Sequence, residues 1–221
     1  MNKSQLSSQQ KFLIFNLFLL TFVLGTSEFA IVGLLNEIGT NLDISIATVG
    51  ALVTGFALAF AIGTPILTAL LSSFNKYPIM LILISFFIFG NVISALSDTY
   101  VVLFLSRILT AIAEGVIVAY TLNIGTNEKI PEEKKGFALS VIFSGFTFSS
   151  VIGVPLGTYI GQVYGWHMTF WTTSMLGVIA LIISIRILPK NIDGVKNSIK
   201  NQIGLLVHPQ FILAFFIPAL S

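Results

Sequence analysis

The feature that most limits this chain is a series of six apolar runs, each long enough to cross a lipid bilayer. They cover residues 12–35, 46–71, 78–96, 100–125, 136–160 and 165–188. About 20 mostly apolar residues in a helix cross about 30 Å of hydrocarbon. Helices are the natural choice, because each backbone group then finds its partner within its own segment where water is absent. Polar breaks at 36–45, 72–77, 97–99, 126–135 and 161–164 separate the runs. A water-facing surface is excluded by the scarcity of charge: 9% of the 221 residues are charged, against about 25% in a soluble domain. The expected organisation is an N-terminal segment at 1–11, an all-α bundle at 12–188 and a hydrophilic linker at 189–208. The apolar stretch at 209–221 is too short to cross and reads as the truncated start of a seventh helix. The first run is not expected to be a cleaved leader, since it exceeds an h-region of about 7–15 residues and contains Glu28.

Basic residues define the orientation. Lys3 and Lys11 precede the first span, Lys76 lies between the second and third, and Lys129, Lys134 and Lys135 lie between the fourth and fifth. Arg186, Lys190, Lys196 and Lys200 lie at or after the end of the sixth, and the alternate loops carry no Lys or Arg. Basic loops favour the cytoplasmic face, so both ends of the bundle are expected in the cytoplasm.

The second and fifth spans share a pattern. Gly55-Phe56, Gly63 and Pro65 recur as Gly145-Phe146, Gly153 and Pro155, at an offset of 90 residues. These spans are counterparts in two three-helix units. Three is odd, so the second unit enters the membrane from the opposite side, which is an inverted repeat of the kind transporters use. Gly153, Gly157 and Gly161 form a smooth stripe that suits close helix approach. Gly153, Pro155 and Gly157 are expected to shape the helix that packs against a further half.

Three ionisable residues lie well inside spans: Glu28, Arg107 and Glu114. Each costs at least about 2.5–3.5 kcal/mol near the bilayer centre, so such groups face a cavity or a partner. Glu28 and Arg107 fall at similar depth in the outer half and pair if their spans are neighbours. Arg107 and Glu114 are seven apart and share one helix face, with Glu114 deeper. Burial and a neighbouring guanidinium act in opposite senses on a carboxyl's proton affinity, which is the chemistry a proton-coupled carrier requires. Asn91, Thr121 and Asn123 are expected to make interhelical hydrogen bonds.

The stretches Leu24-Gly25-Thr26-Ser27-Glu28-Phe29 and Gly33-Leu34-Leu35 resemble the opening signature of the bacterial drug–proton antiporter and arabinose, purine or chloramphenicol exporter branch of the major facilitator superfamily. Arg107 with Ala111, Ala113 and Gly115 resembles the family's fourth-helix motif, whose Arg is implicated in proton transfer. Gly145 through Gly153-Val154-Pro155-Leu156-Gly157 resembles its fifth-helix antiporter motif, and Gly165-Trp166 with Phe170 its entry to helix six. The resemblance implies export of a small molecule driven by protons, in a bacterial inner membrane. It also implies a C-terminal six-helix half as partner. Two departures stand out. The gating loop, where the family carries an Asp-Arg pair, here reads Ser72-Ser73-Phe74-Asn75-Lys76-Tyr77, and His167 replaces an Arg.

Cys is absent and His occurs twice, so thiolate chemistry and a His metal cage are ruled out. No phosphate loop or nucleophile–base pair occurs, and neither an enzyme, a cofactor nor a nucleic-acid partner is expected. Two other readings stay open, a non-transporting membrane fragment and a uniporter or symporter that imports its solute. Reporter fusions within 1–11 and 189–208 are expected to score on the same cytoplasmic side. Opposite scores would mean an odd number of crossings.

Overall fold

A computed structural model describes residues 6–127 and 130–191. Lys3, Glu128, Lys129, Lys196, Lys200, nearly all of the 189–208 linker and the expected start of a seventh helix lie outside the described residues. Six helices have membrane-crossing length and composition: α1 Ser8–Asn41, α2 Ile46–Leu71, α3 Lys76–Ala95, α4 Tyr100–Gly125, α5 Glu132–Tyr164 and α6 Trp166–Ile187.

Short polar side chains set the helix starts. Ser7 and Gln10 close a reciprocal cap on α1, each side chain accepting from the other's backbone N–H. Ser45, Asn75 and Thr99 accept from Thr48, Tyr77 and Val102 at the starts of α2, α3 and α4. Each such cap satisfies an orphan donor. Three helices run longer than the apolar pattern indicates. α1 continues past residue 35 to Asn41 through one 3₁₀ turn at Ile31–Leu34, because Leu34 and Ile38 stay buried while Asn36 and Thr40 face out. α3 starts at Lys76, with Pro78 harmless in the first turn. α5 begins at Glu132 and Glu133, acids suited to a helix N-terminus.

The two three-helix units pack as counterparts. α1 packs on α5 as α4 packs on α2, α1 on α6 as α4 on α3, and α3 and α6 pack on each other. The shared glycines form these contacts. Gly55 and Gly63 of α2 lie against Phe104, Ile108 and Ile112 of α4, whereas Gly145 and Gly153 of α5 lie against Phe18, Phe22 and Thr26 of α1. Gly157 and Gly161 face Ala30, Leu34 and Thr169, on α1 and α6. The stripe is therefore occupied within this bundle. Pro155 is exposed on the other side of α5, and α2 and α5 are the least buried helices.

Two large apolar clusters fill the bundle. One gathers Leu17, Leu20, Leu24, Phe87, Ala113 and Ile117. The other gathers Ile31, Leu34, Ala95, Leu103, Trp166 and Phe170. On α1, α3 and α4 the clusters are separated by a polar layer that holds Ser27, Asn91, Ser94, Ser106, Arg107 and Thr110, all buried.

A methyl group added at Gly145 would lie 2.6 Å from the Phe18 carbonyl oxygen and 2.9 Å from the Phe22 nitrogen. Backbone cannot step aside as a side chain can. Gly145→Ala is therefore expected to destabilise the bundle by about 1–3 kcal/mol. Gly136→Ala, where nothing lies within 4 Å, is expected to be neutral or stabilising. Thermal melting of the two variants in detergent checks this.

Candidate functional site

Arg107 organises the polar layer. It projects from α4 and is 1% exposed. Its guanidinium forks onto one residue of α1: Nη1 donates to the Ser27 hydroxyl and Nη2 to the Ser27 carbonyl, both at 3.1 Å. The Ser27 hydroxyl in turn donates to Asn91 Oδ1 at 3.1 Å, and Asn91 Nδ2 donates to the Phe87 carbonyl at 2.9 Å. This directed chain ties α4 to α1 and α3. Two aromatic rings bracket the charge, Phe56 of α2 with its centroid at 4.6 Å and Phe170 of α6 at 5.6 Å. Ring faces attract a cation most strongly where water is excluded. Arg107 Nε has no hydrogen-bond partner.

The carboxyls stand apart from this fork. Glu28 follows Ser27 on α1 and is only half-buried. The pairing expected of Glu28 and Arg107 does not form: among the described residues no ion pair joins Arg107 to either acid, and the ion pair present links Lys135 with Glu132. Successive residues of a helix point about 100° apart, so when Ser27 faces Arg107, Glu28 turns toward the more open side. Glu114 lies two turns beyond Arg107, inside the apolar cluster of Ala113, Val116 and Ile117. It is 0% exposed, and neither carboxyl oxygen has a hydrogen-bond partner. The charges of Glu28 and Arg107 both act on it. The three residues thus share one region, with the cation satisfied by neutral groups and the carboxyls uncommitted.

The weaker polar candidates divide. Asn91 makes the expected interhelical bond, and Asn123 accepts from Lys76 Nζ at 2.7 Å. The Thr121 hydroxyl, though buried, has no partner. In the gating loop, Ser72 bonds back to Ala69, Ser73 is exposed and Lys76 is buried at the start of α3. His167 stacks on Trp166 and meets the Ser97 carbonyl at 3.1 Å. Sequence reasoning passed over Ser27, Phe56 and Phe170 as partners of the guanidinium. The available signal was the polar triplet Thr26-Ser27-Glu28 within an otherwise apolar run.

Two inverted three-helix units closed around a buried guanidinium define one half of a transporter-type membrane fold. The model of the Major Facilitator Superfamily matches residues 17–221, and the chain belongs to that superfamily. It is 36% identical to the uncharacterized MFS-type transporter YtbD of Bacillus subtilis, over 90% of this chain and 50% of that protein. It is 30% identical to a chloramphenicol resistance protein of Streptomyces lividans, over 89% of this chain and 51% of the other. Among solved structures, a bacterial homolog of the human lysosomal transporter Spinster, inward-facing and unoccupied, matches with a TM-score of 0.73 and 18% identity, over 88% of this chain and 46% of the other. That likeness concerns the fold. The chain spans about half the length of the curated relatives it matches.

Removing the Ser27 hydroxyl takes away one charge-assisted bond and the link to Asn91. Ser27→Ala is expected to cost about 1.5–3 kcal/mol, and Ser27→Thr, which keeps the hydroxyl, considerably less. The difference in melting temperature between the two variants measures it.

Proposed function

We propose that this chain forms the first six-helix half of a secondary transporter that exports a small molecule by alternating access, driven by protons moving inward. In this reading it sits in a bacterial inner membrane with its N-terminus in the cytoplasm, and it works with a second six-helix half. The observation that carries the proposal is Glu114: a fully buried carboxyl with both oxygens unpartnered, near a guanidinium that is held by Ser27. Intramembrane charge is costly and marks function by default. Two carboxylates and one guanidinium carry a net negative charge, and one bound proton balances them. A site that is neutral with the proton and charged without it links proton binding to the energetics of exposure and closure.

Direction of transport rests on two supports. One is the resemblance of Gly145 through Gly157 to the antiporter motif. The other is the name of the Streptomyces lividans relative, a chloramphenicol resistance protein. The cytoplasmic N-terminus rests on the one-sided placement of the lysines. Gly145, Gly153 and Gly157 serve this function by setting how closely α5 packs on α1 and α6, and Pro155 shapes the exposed side of α5.

The test is transport in sealed vesicles with an imposed proton gradient. Glu28→Gln and Arg107→Ala are each expected to lower gradient-driven transport by about 100-fold or more, with membrane insertion unchanged. Wild-type rates in either variant would make the charges structural, and transport indifferent to the gradient would remove coupling altogether.

A further inference from the structure

Glu28 and Glu114 occupy the same position in the two inverted units. The glycines of α5 lie against Phe18, Phe22 and Thr26, and those of α2 against Phe104, Ile108 and Ile112. Each of these α1 residues is matched by the α4 residue 86 positions later, and Glu114 stands 86 positions after Glu28. An axis in the membrane plane relates inverted units, so a pair of counterparts falls on opposite sides of that plane. The local geometry agrees. Glu28 follows Ser27 and so stands level with the Arg107 guanidinium. Glu114 lies two turns of α4, about 10 Å, further toward the face where α1 begins.

The counterparts differ in surroundings. Glu28 is half-buried, whereas Glu114 is sealed and unpartnered. Arg107 has no basic counterpart, because the matching α1 position is Thr21, whose hydroxyl donates to the Ile142 carbonyl at 2.6 Å. One cation therefore serves two acids. Among the described residues, the other groups that α2, α3, α5 and α6 bring to this region include Phe56, Thr64, Asn91, Ser94, Ser149 and Phe170, none of which titrates.

From this arrangement we infer that Glu28 and Glu114 are two alternate seats for a single travelling proton, one opened from each side of the membrane. The inference deepens the coupling reading and rests on it. In the transfer, the O–H bond at the Glu28 carboxyl breaks and an O–H bond forms at the Glu114 carboxylate, the proton being handed across the roughly 10 Å between them by water admitted as the site opens. The negative charge passes the other way, and Arg107 stays cationic on Ser27. When the transporter rocks to its other access state, the two units exchange environments, so Glu114 becomes the open seat and Glu28 the sealed one.

Sided chemistry tests this in the complete transporter, reconstituted with a single orientation in sealed vesicles. The chain has no cysteine, which makes Glu28→Cys and Glu114→Cys clean probes for a membrane-impermeant thiol reagent. The thiol at position 28 is expected to react only from the face where α1 ends, and that at 114 only from the face where α1 begins. Reaction of both from one face, or of position 114 from neither face, would overturn the inference. If a cysteine variant fails to insert, infrared spectroscopy of the unmodified protein with D₂O on one side gives a second readout. The carboxyl bands, assigned by E28Q and E114Q, are expected to exchange from opposite sides, and exchange from one side alone would sink the two-seat scheme. Gradient-driven transport with same-sided labelling would overturn the two seats alone. Opposite-sided labelling with gradient-independent transport would remove the coupling reading instead.

Discussion

The bundle is built around the problem of keeping one guanidinium out of water. Arginine does not shed its charge at ordinary pH, so Arg107 needs partners in place when the helices come together. Ser27 supplies two acceptors in the geometry of the planar fork, and Phe56 and Phe170 cover the charge from two further helices. A lysine could not meet both Ser27 oxygens with the same flat fork. The requirement fixes α1, α3 and α4 in register, because the Ser27 hydroxyl must also reach Asn91. It also divides the apolar interior into two clusters with a polar layer between them.

Much of this fold can be read from the chain alone. Six spans are legible because membrane solvation tolerates few alternatives to a long apolar helix. The inverted repeat is legible because Gly55 and Gly145, and Gly63 and Gly153, do equivalent work at helix contacts. The three intramembrane charges stand out for the same energetic reason. What a linear reading misses is direction. It places Arg107 beside Glu28 by depth, but a rotation of one residue gives the fork to Ser27. It marks the Gly153–Gly157 stripe as a packing surface but does not name its occupants, which are Thr26, Ala30 and Thr169. Phe56 and Phe170 pass as ordinary aromatics, because nothing in their spacing marks a ring that covers a charge. The extension of α1 to Asn41 is hidden for another reason. Polar residues end an apolar run without ending a helix whose other face still buries Leu34 and Ile38.

The departures from the family's loop pattern have local replacements. Lys76 reaches Asn123 at the end of α4, Asn75 donates to the Lys190 carbonyl, and the Tyr77 hydroxyl donates to the Ile185 carbonyl near the end of α6. Tyr120 closes the set by donating to the Leu71 carbonyl. The turn between α2 and α3 is thereby fastened to two other helices by hydrogen bonds to neutral acceptors. Lys76 contributes the one charged donor among these four contacts, and among the described residues no acid meets it.

The joint between α5 and α6 is a single residue, Gly165, with φ at +91 and no neighbour crowding its α-carbon. Only glycine adopts that backbone region without strain. Consecutive α-carbons are about 3.8 Å apart, so Tyr164 and Trp166 cannot part company at this corner. The last two helices are thus tied tip to tip, and any side chain placed at that corner would strain the one residue that turns the chain back into the membrane.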